Sequence, residues 1–403
     1  MQPSKSKSIV VFAFTGYFAF GILWSAIGPL LSQFAALNDT DLATIGGIYT
    51  AVFFGAVTAQ IILGPLTDRW GQLRSLTIAL LVLALGITSM SFSRWLPLTF
   101  VLAFGAGLGH GLSNLCGNVM IARLFKEKSV SAVNLLNFTW GLGAFAGPSL
   151  VSGALYLWHT GLPALWLSAA IMTAAALVLL FGFFNVPIDA PDQAAGISAQ
   201  KRIHFTPFLW SMGGMLLLYV GTESAMGGWS TTYMQETTTL SIELAAMVTS
   251  GFWLALTAGR GIASVIGMRI KARHVLMLSL GAATLGTALF VAGYGNSVLS
   301  IAAILLIGLG YGAIYPTGVA MVTNAFPETP GQAGAVITAM SGTGGMIIPW
   351  LQGVVMQQAG IRSGTYLIAA VLVLLLAAFA WSQRQSRERE NPALVQRDPL
   401  DQA

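Results

Sequence analysis

Long apolar runs separated by short polar stretches repeat along the whole chain. A helix that crosses a bilayer needs ~20 mostly apolar residues. Twelve runs meet that length, with rough limits at 9–34, 42–66, 75–92, 97–124, 131–157, 163–186, 207–233, 243–268, 275–293, 298–325, 332–357 and 363–383. The first run is too long for a cleaved signal peptide. It lacks a small-x-small cleavage site, and eleven more runs follow it.

The polar remainder orients these spans. Lys5 and Lys7, Arg69 and Arg74, Arg123, Lys126 and Lys128, Lys201 and Arg202, Arg269, Lys271 and Arg273, and the tail arginines fall on one side if the chain crosses twelve times. The opposite loops carry only Arg94 and Arg362 as cations. Positive loops stay in the cytoplasm, so both termini are expected there and the protein in the cytoplasmic (inner) membrane. The longest polar stretch between spans, 187–206, lies mid-chain. It reads as a cytoplasmic linker between six-helix bundles at 1–186 and 207–383. Residues 384–403 read as a disordered cytoplasmic tail. The expected fold is an all-α membrane protein.

Composition removes other classes. Charged residues make up 8% of the 403, against ~25% in soluble domains. The net charge of +5 is set by loop placement and does not imply nucleic acid. A single cysteine, Cys116, excludes an internal disulfide. There is no phosphate-cradling loop and no metal-ligand spacing among the four histidines. No cofactor or enzyme activity is expected, and nothing requires more than a monomer.

One loop is specific. Gly64-Pro65-Leu66-Thr67-Asp68-Arg69-Trp70-Gly71-Gln72-Leu73-Arg74 follows span 2. Gly64 and Gly71 permit a tight turn between helices. Asp68 can pair with an arginine or cap a helix of the neighbouring half, a contact that must break on switching. Asp68, Arg69 and Arg74 are therefore gating candidates with the two glycines. The equivalent loop after span 8, Gly267 to Arg273, keeps the charge and loses the Asp.

The loop resembles the G-x-L-x-D-R-x-G-R-[KR] motif of the major facilitator superfamily. That resemblance implies twelve helices in two six-helix bundles, rocking about a central site. Asn134 to Ala144 in span 5, Tyr219 to Tyr233 in span 7 and Tyr315-Pro316-Thr317 in span 10 resemble the fucose permease-like branch, sugar–proton symporters. Two departures matter. Span 1 contains no acid, and Asn114 stands where the branch pattern in span 4 has one. The branch's proton site does not transfer.

Ionisable residues inside the bilayer are expensive and need explaining. Glu223 is the carboxylate deep in a span, judged slightly nearer the far side, and is the leading proton carrier. Its other reading is a fixed hydrogen bond that locks span 7. Arg260 is judged to lie towards the cytoplasmic end of span 8, at a different depth from Glu223, in a gating or structural role. His110 is either a proton shuttle or a neutral packing residue. Asn114 and Asn118 share a face of span 4, with His110 one turn earlier. Tyr17 and Trp24 in span 1, Asn137 and Trp140 in span 5, Trp229 in span 7 and Asn324 in span 10 complete a candidate substrate lining with Glu223. Rings stack on apolar faces and amides bond hydroxyls. Interhelical packing is the competing reading for each.

The expected function is proton-coupled uptake of a small polar, sugar-like solute, with sodium as the other candidate ion. Proton-linked efflux of amphipathic compounds is the alternative. A transport-inactive membrane receptor or assembly protein is a third.

Overall fold

The computed structural model describes residues 3–183, 186 and 204–390. Of the central linker only 204–206 are among them, so its expected role lies outside the described residues, as does the tail from 391.

Among the described residues, fifteen α-helices account for twelve membrane crossings. Crossing 1 is α1 (Pro3–Ala26), a 3-10 turn (Gly28–Leu30) and α2 (Leu31–Leu37). Crossing 2 is α3 (Leu42–Thr58), a π-helical turn (Ala59–Leu63) and α4 (Gly64–Trp70). Four single helices follow: α5 (Gln72–Met90), α6 (Leu96–Phe125), α7 (Ser129–Trp158) and α8 (Leu162–Phe183). The second half runs α9 (Pro207–Thr237), α10 (Ile242–Gly267) and α11 (Ala272–Ala292). Crossing 10 is split into α12 (Ser297–Tyr311) and α13 (Ile314–Ala325). The last two are α14 (Pro330–Ala359) and α15 (Ile361–Glu390).

Ten crossings are long and apolar enough to span a bilayer by length and composition; α7 and α9 are the two that are not among them. Both carry polar residues that the fold turns inward. The start of the expected disordered tail is corrected: α15 continues through Glu390. Residues 383–390 are mostly good helix formers, and the arginines there suit a helix C-terminus.

Polar side chains set several helix starts. Asp41, Thr206, Ser241 and Asn296 each accept a backbone N–H three residues on, capping α3, α9, α10 and α12. Gly71 turns the chain between α4 and α5 at φ +89°, where an L side chain would be strained.

The halves repeat one packing scheme. In the first, α1 lies against α7 and α8, α6 against α3 and α5, and α5 against α8. In the second, α9 lies against α14 and α15, α12 against α10 and α11, and α11 against α15. These are the same pairings shifted by six crossings. The bundles meet through α3 with α14, α7 with α10, and Gly28–Leu30 with α9.

We call the face with residues 126–128, 268–271 and the end of α15 the terminal face. The far face carries residues 38–41, 159–161 and 238–241. The halves close towards the far face. Ala43 N donates to Gln357 Oε1 (3.2 Å), Thr50 Oγ1 to the Met346 carbonyl (2.7 Å), and Ser149 and Ser250 share a hydrogen bond (2.6 Å). A Cβ at Gly28 would lie 2.3 Å from the Gly227 carbonyl oxygen, so only glycine allows that approach. Towards the terminal face, α6 and α13 form no packed pair.

Candidate functional site

Glu223 lies midway along α9. Arg260 on α10 reaches it, with Nη2 3.6 Å from Glu223 Oε1. Counting along the two helices places them at different depths and leaves their pairing open; the structure pairs them. The Arg260 side chain therefore reaches the centre of the bundle. Its guanidinium carries the charge several ångströms from the backbone, which offsets the depth difference of the two Cα atoms. A lone charge at this depth would be costly; pairing neutralises both.

Aromatic rings surround the pair. Tyr219 stands one turn before Glu223 and meets Tyr311 edge-on at 5.5 Å and Tyr315 at 6.3 Å between centroids. From the other half, the Trp140 ring faces the Arg260 guanidinium at 5.9 Å, within range of cation–π attraction. Trp140 also meets Trp253 of α10 edge-on at 5.8 Å. Tyr219, Tyr311 and Trp253 were not singled out by sequence reasoning as site residues. The one available signal was the four-residue spacing of Tyr219 and Glu223.

The first half contributes a wall without charge. His110 is held among Phe20 (4.9 Å), Trp24 (4.8 Å) and Phe53 (6.2 Å). Its Nδ1 has no hydrogen-bond partner among the described residues. Below this cluster Asn137 Nδ2 donates to Asn118 Oδ1 at 2.8 Å, joining α7 to α6. Asn118 Nδ2 donates to the Asn114 carbonyl. Asn114 itself is exposed.

Three expected lining residues sit elsewhere. Tyr17 is buried, and its hydroxyl donates to the carbonyls of Ser113 (2.7 Å) and Asn114 (3.1 Å). It ties α1 to α6 and offers no free donor. Trp229 is buried, donates Nε1–H to the Pro349 carbonyl at 2.8 Å, and packs against Gly46 and Gly353. It is a wedge in the far-face closure. Asn324 is exposed in the last turn of α13, towards the terminal face. Helical spacing gives the relative faces of one helix but not which face turns to the centre. That rotation is set by packing.

At the loop expected to gate, Gly64 opens α4 and Gly71 closes it. Arg69 and Arg74 are exposed on the terminal face. The side chain of Asp68 lies outside the described residues. Gln72 Nε2 donates to Thr67 Oγ1 at 3.2 Å, bracing the turn. Among the described residues no group of three metal-ligating side chains occurs.

Two repeated six-helix bundles, closed at one face around a central ion pair, define a helical membrane transporter. The chain belongs to the Major Facilitator Superfamily, whose family model matches residues 13–237 and again 211–401. Among curated proteins it is 24% identical over 394 residues to "Sodium-dependent glucose transporter 1" of Danio rerio, covering 88% of this chain and 66% of that protein. It is 25% identical over 386 residues to "Probable nitrate/nitrite transporter NarK2" of Mycobacterium tuberculosis (91% and 93% covered). Among solved structures it is similar to a point mutant of the nucleoside transporter NupG, with TM-score 0.76, 17% identity, and 94% and 99% coverage. It is also similar to a point mutant of the fucose:proton symporter FucP of Escherichia coli, with TM-score 0.61, 19% identity, and 93% and 97% coverage. The resemblance read from the loop after span 2 is thus the family itself, and sugar–proton symporters are among its structural neighbours.

Proposed function

We propose that the protein takes up a small polar, sugar-like solute across the cytoplasmic membrane by alternating access, coupled to a proton carried by Glu223. The terminal face is then cytoplasmic, and the conformation described is inward-facing. The observation that carries the reading is the Glu223–Arg260 pair at 3.6 Å, central in the bundle and faced by Trp140 of the opposite half. A proton on Glu223 breaks the pair electrostatically and changes what the site can hold. The sugar-like class draws support from the name of the Danio rerio relative, from the amides of the first half and from the rings on both walls. Opening on the other side requires Trp229 to leave Gly46 and Gly28 to separate from Gly227.

The test is transport in proteoliposomes. Glu223→Gln should abolish accumulation driven by an inward proton gradient while counterflow remains measurable. Undiminished proton-driven accumulation would remove Glu223 from coupling. Export of amphipathic compounds is a second reading, favoured by the aromatic cluster of Phe20, Trp24, Phe53 and Trp140. Vesicles of defined orientation would separate it by the direction of proton-driven movement.

A further inference from the structure

We propose that the solute carries a carboxylate, as in a sugar acid, and that this carboxylate takes the place of Glu223 on Arg260 when Glu223 is protonated. The inference rests on the transport role proposed for the same site and specifies its substrate class.

Three observations lead to it. First, within the pair the Arg260 side chain is 26% exposed and Glu223 13%. The central cleft therefore sees more of the cation than of the anion. Second, donors around the pair outnumber their partners. Arg260 Nε and Trp253 Nε1, which can only donate, have no hydrogen-bond partner among the described residues. Third, the guanidinium lies between Glu223 of its own half and the Trp140 ring of the other. A ligand entering between the halves meets Arg260 directly.

Charge arithmetic then selects the ligand. With Glu223 ionised the pair sums to zero. Protonation of Glu223, by a proton from the aqueous phase bonding to a carboxylate oxygen, leaves Arg260 as an uncompensated cation in a low-dielectric site. A neutral sugar leaves that charge standing. A monocarboxylate restores neutrality and can use the planar fork of guanidinium donors in pairs. Its hydroxyls can then reach Tyr315, the partly exposed member of the three tyrosines. One proton and one anion move together, so the loaded site is as neutral as the empty one.

The other groups that act on Glu223 do not upset this balance. They are Tyr219 of α9, Tyr311 of α12 and Tyr315 of α13, besides Arg260 of α10. The packed neighbour α14 contains no ionisable residue, and those of α15 stand towards its ends.

The experiment measures binding of gluconate, glucuronate and glucose to the purified full chain in nanodiscs, by thermal stabilisation and calorimetry, at mildly acidic and mildly alkaline pH. The acids should bind roughly tenfold or more tighter than glucose, the scale of one lost contact of this strength, and tighter in acid. Glu223→Gln should bind the acids equally at both pH values, because Arg260 is then permanently released. Arg260→Gln should lose acid binding. If that variant does not fold, the double variant Glu223→Gln/Arg260→Gln, with no charge to compensate, makes the same test. Glucose binding as tightly as the acids, or acid binding that survives loss of Arg260, overturns the proposal and leaves uptake of a neutral sugar standing. Binding of none of the three at either pH sinks this proposal and the sugar-like reading together. Proton-driven accumulation of some other solute that Glu223→Gln abolishes would still support the coupling role.

Discussion

The two walls of the central cleft are built on the same packing scheme and carry opposite chemistry. The first half presents rings and amides: Phe20, Trp24, His110 and Trp140, with the Asn118–Asn137 hydrogen bond beneath them. The second half holds the ion pair, with Tyr315 partly exposed and Tyr219 and Tyr311 buried beside it. Helices α1 and α9 occupy equivalent places in their bundles, yet α9 carries Glu223 and the membrane-embedded part of α1 has no charge. Both members of the ion pair belong to one half. The rocking proposed for the halves therefore need not break it, whereas the approach of Arg260 to Trp140 crosses the divide and would change with that motion. In the proposed mechanism the charged wall takes the proton through Glu223.

Breaking the charged wall should have the largest effect. Arg260→Met leaves Glu223 without its partner, and loss of one member of a buried pair costs ~3–5 kcal/mol. The partial exposure of both side chains places this example towards the lower end. Thermal unfolding in detergent should show a marked drop for either single change, Arg260→Met or Glu223→Ala. A substantial recovery is expected when both are made neutral. Equal losses in the single and double variants would show that the pair is not what holds α9 to α10.

The neutral wall should respond more gently. Asn137→Leu removes the 2.8 Å bond to Asn118 and leaves no charge behind. Interhelical hydrogen bonds of this kind average ~0.6 kcal/mol in membranes. A small loss of unfolding temperature is expected. A loss as great as that of Arg260→Met would erase the distinction between the walls.

The smallest effect lies outside both walls, at the far face. Asp41 accepts the Thr44 backbone N–H at 2.8 Å and the Thr44 hydroxyl at 3.0 Å. The backbone bond chiefly holds its carboxyl below the usual carboxylate range. A carboxylate lowered in this way stabilises the fold above its unfolded pKa. That contribution is lost as pH falls through the folded value. The cap should therefore weaken in acid. Asp41→Asn should keep the cap and remove this part of the acid sensitivity, an effect at or below ~1 kcal/mol. An unchanged acid limb of the stability profile would take Asp41 out of the account.

The twelve crossings, the family and the presence of costly groups at Glu223 and Arg260 are all legible in the linear chain. Runs of apolar residues must span the bilayer as helices, because an unpaired backbone cannot be left in lipid. That constraint is local, so a single segment reveals it. Which groups meet is a matter of packing. Tyr17 and Trp229 look like cavity aromatics in the chain but are spent on the carbonyls of neighbouring helices. Asn324 turns out to be exposed near a helix end. Tyr311 and Trp253 reach the centre without any mark in the sequence. Depth counted along two helices separates Glu223 from Arg260, yet a long guanidinium side chain closes that gap. Helix rotation and side-chain reach are set by contacts between segments far apart in the chain, and no pattern within one segment encodes them.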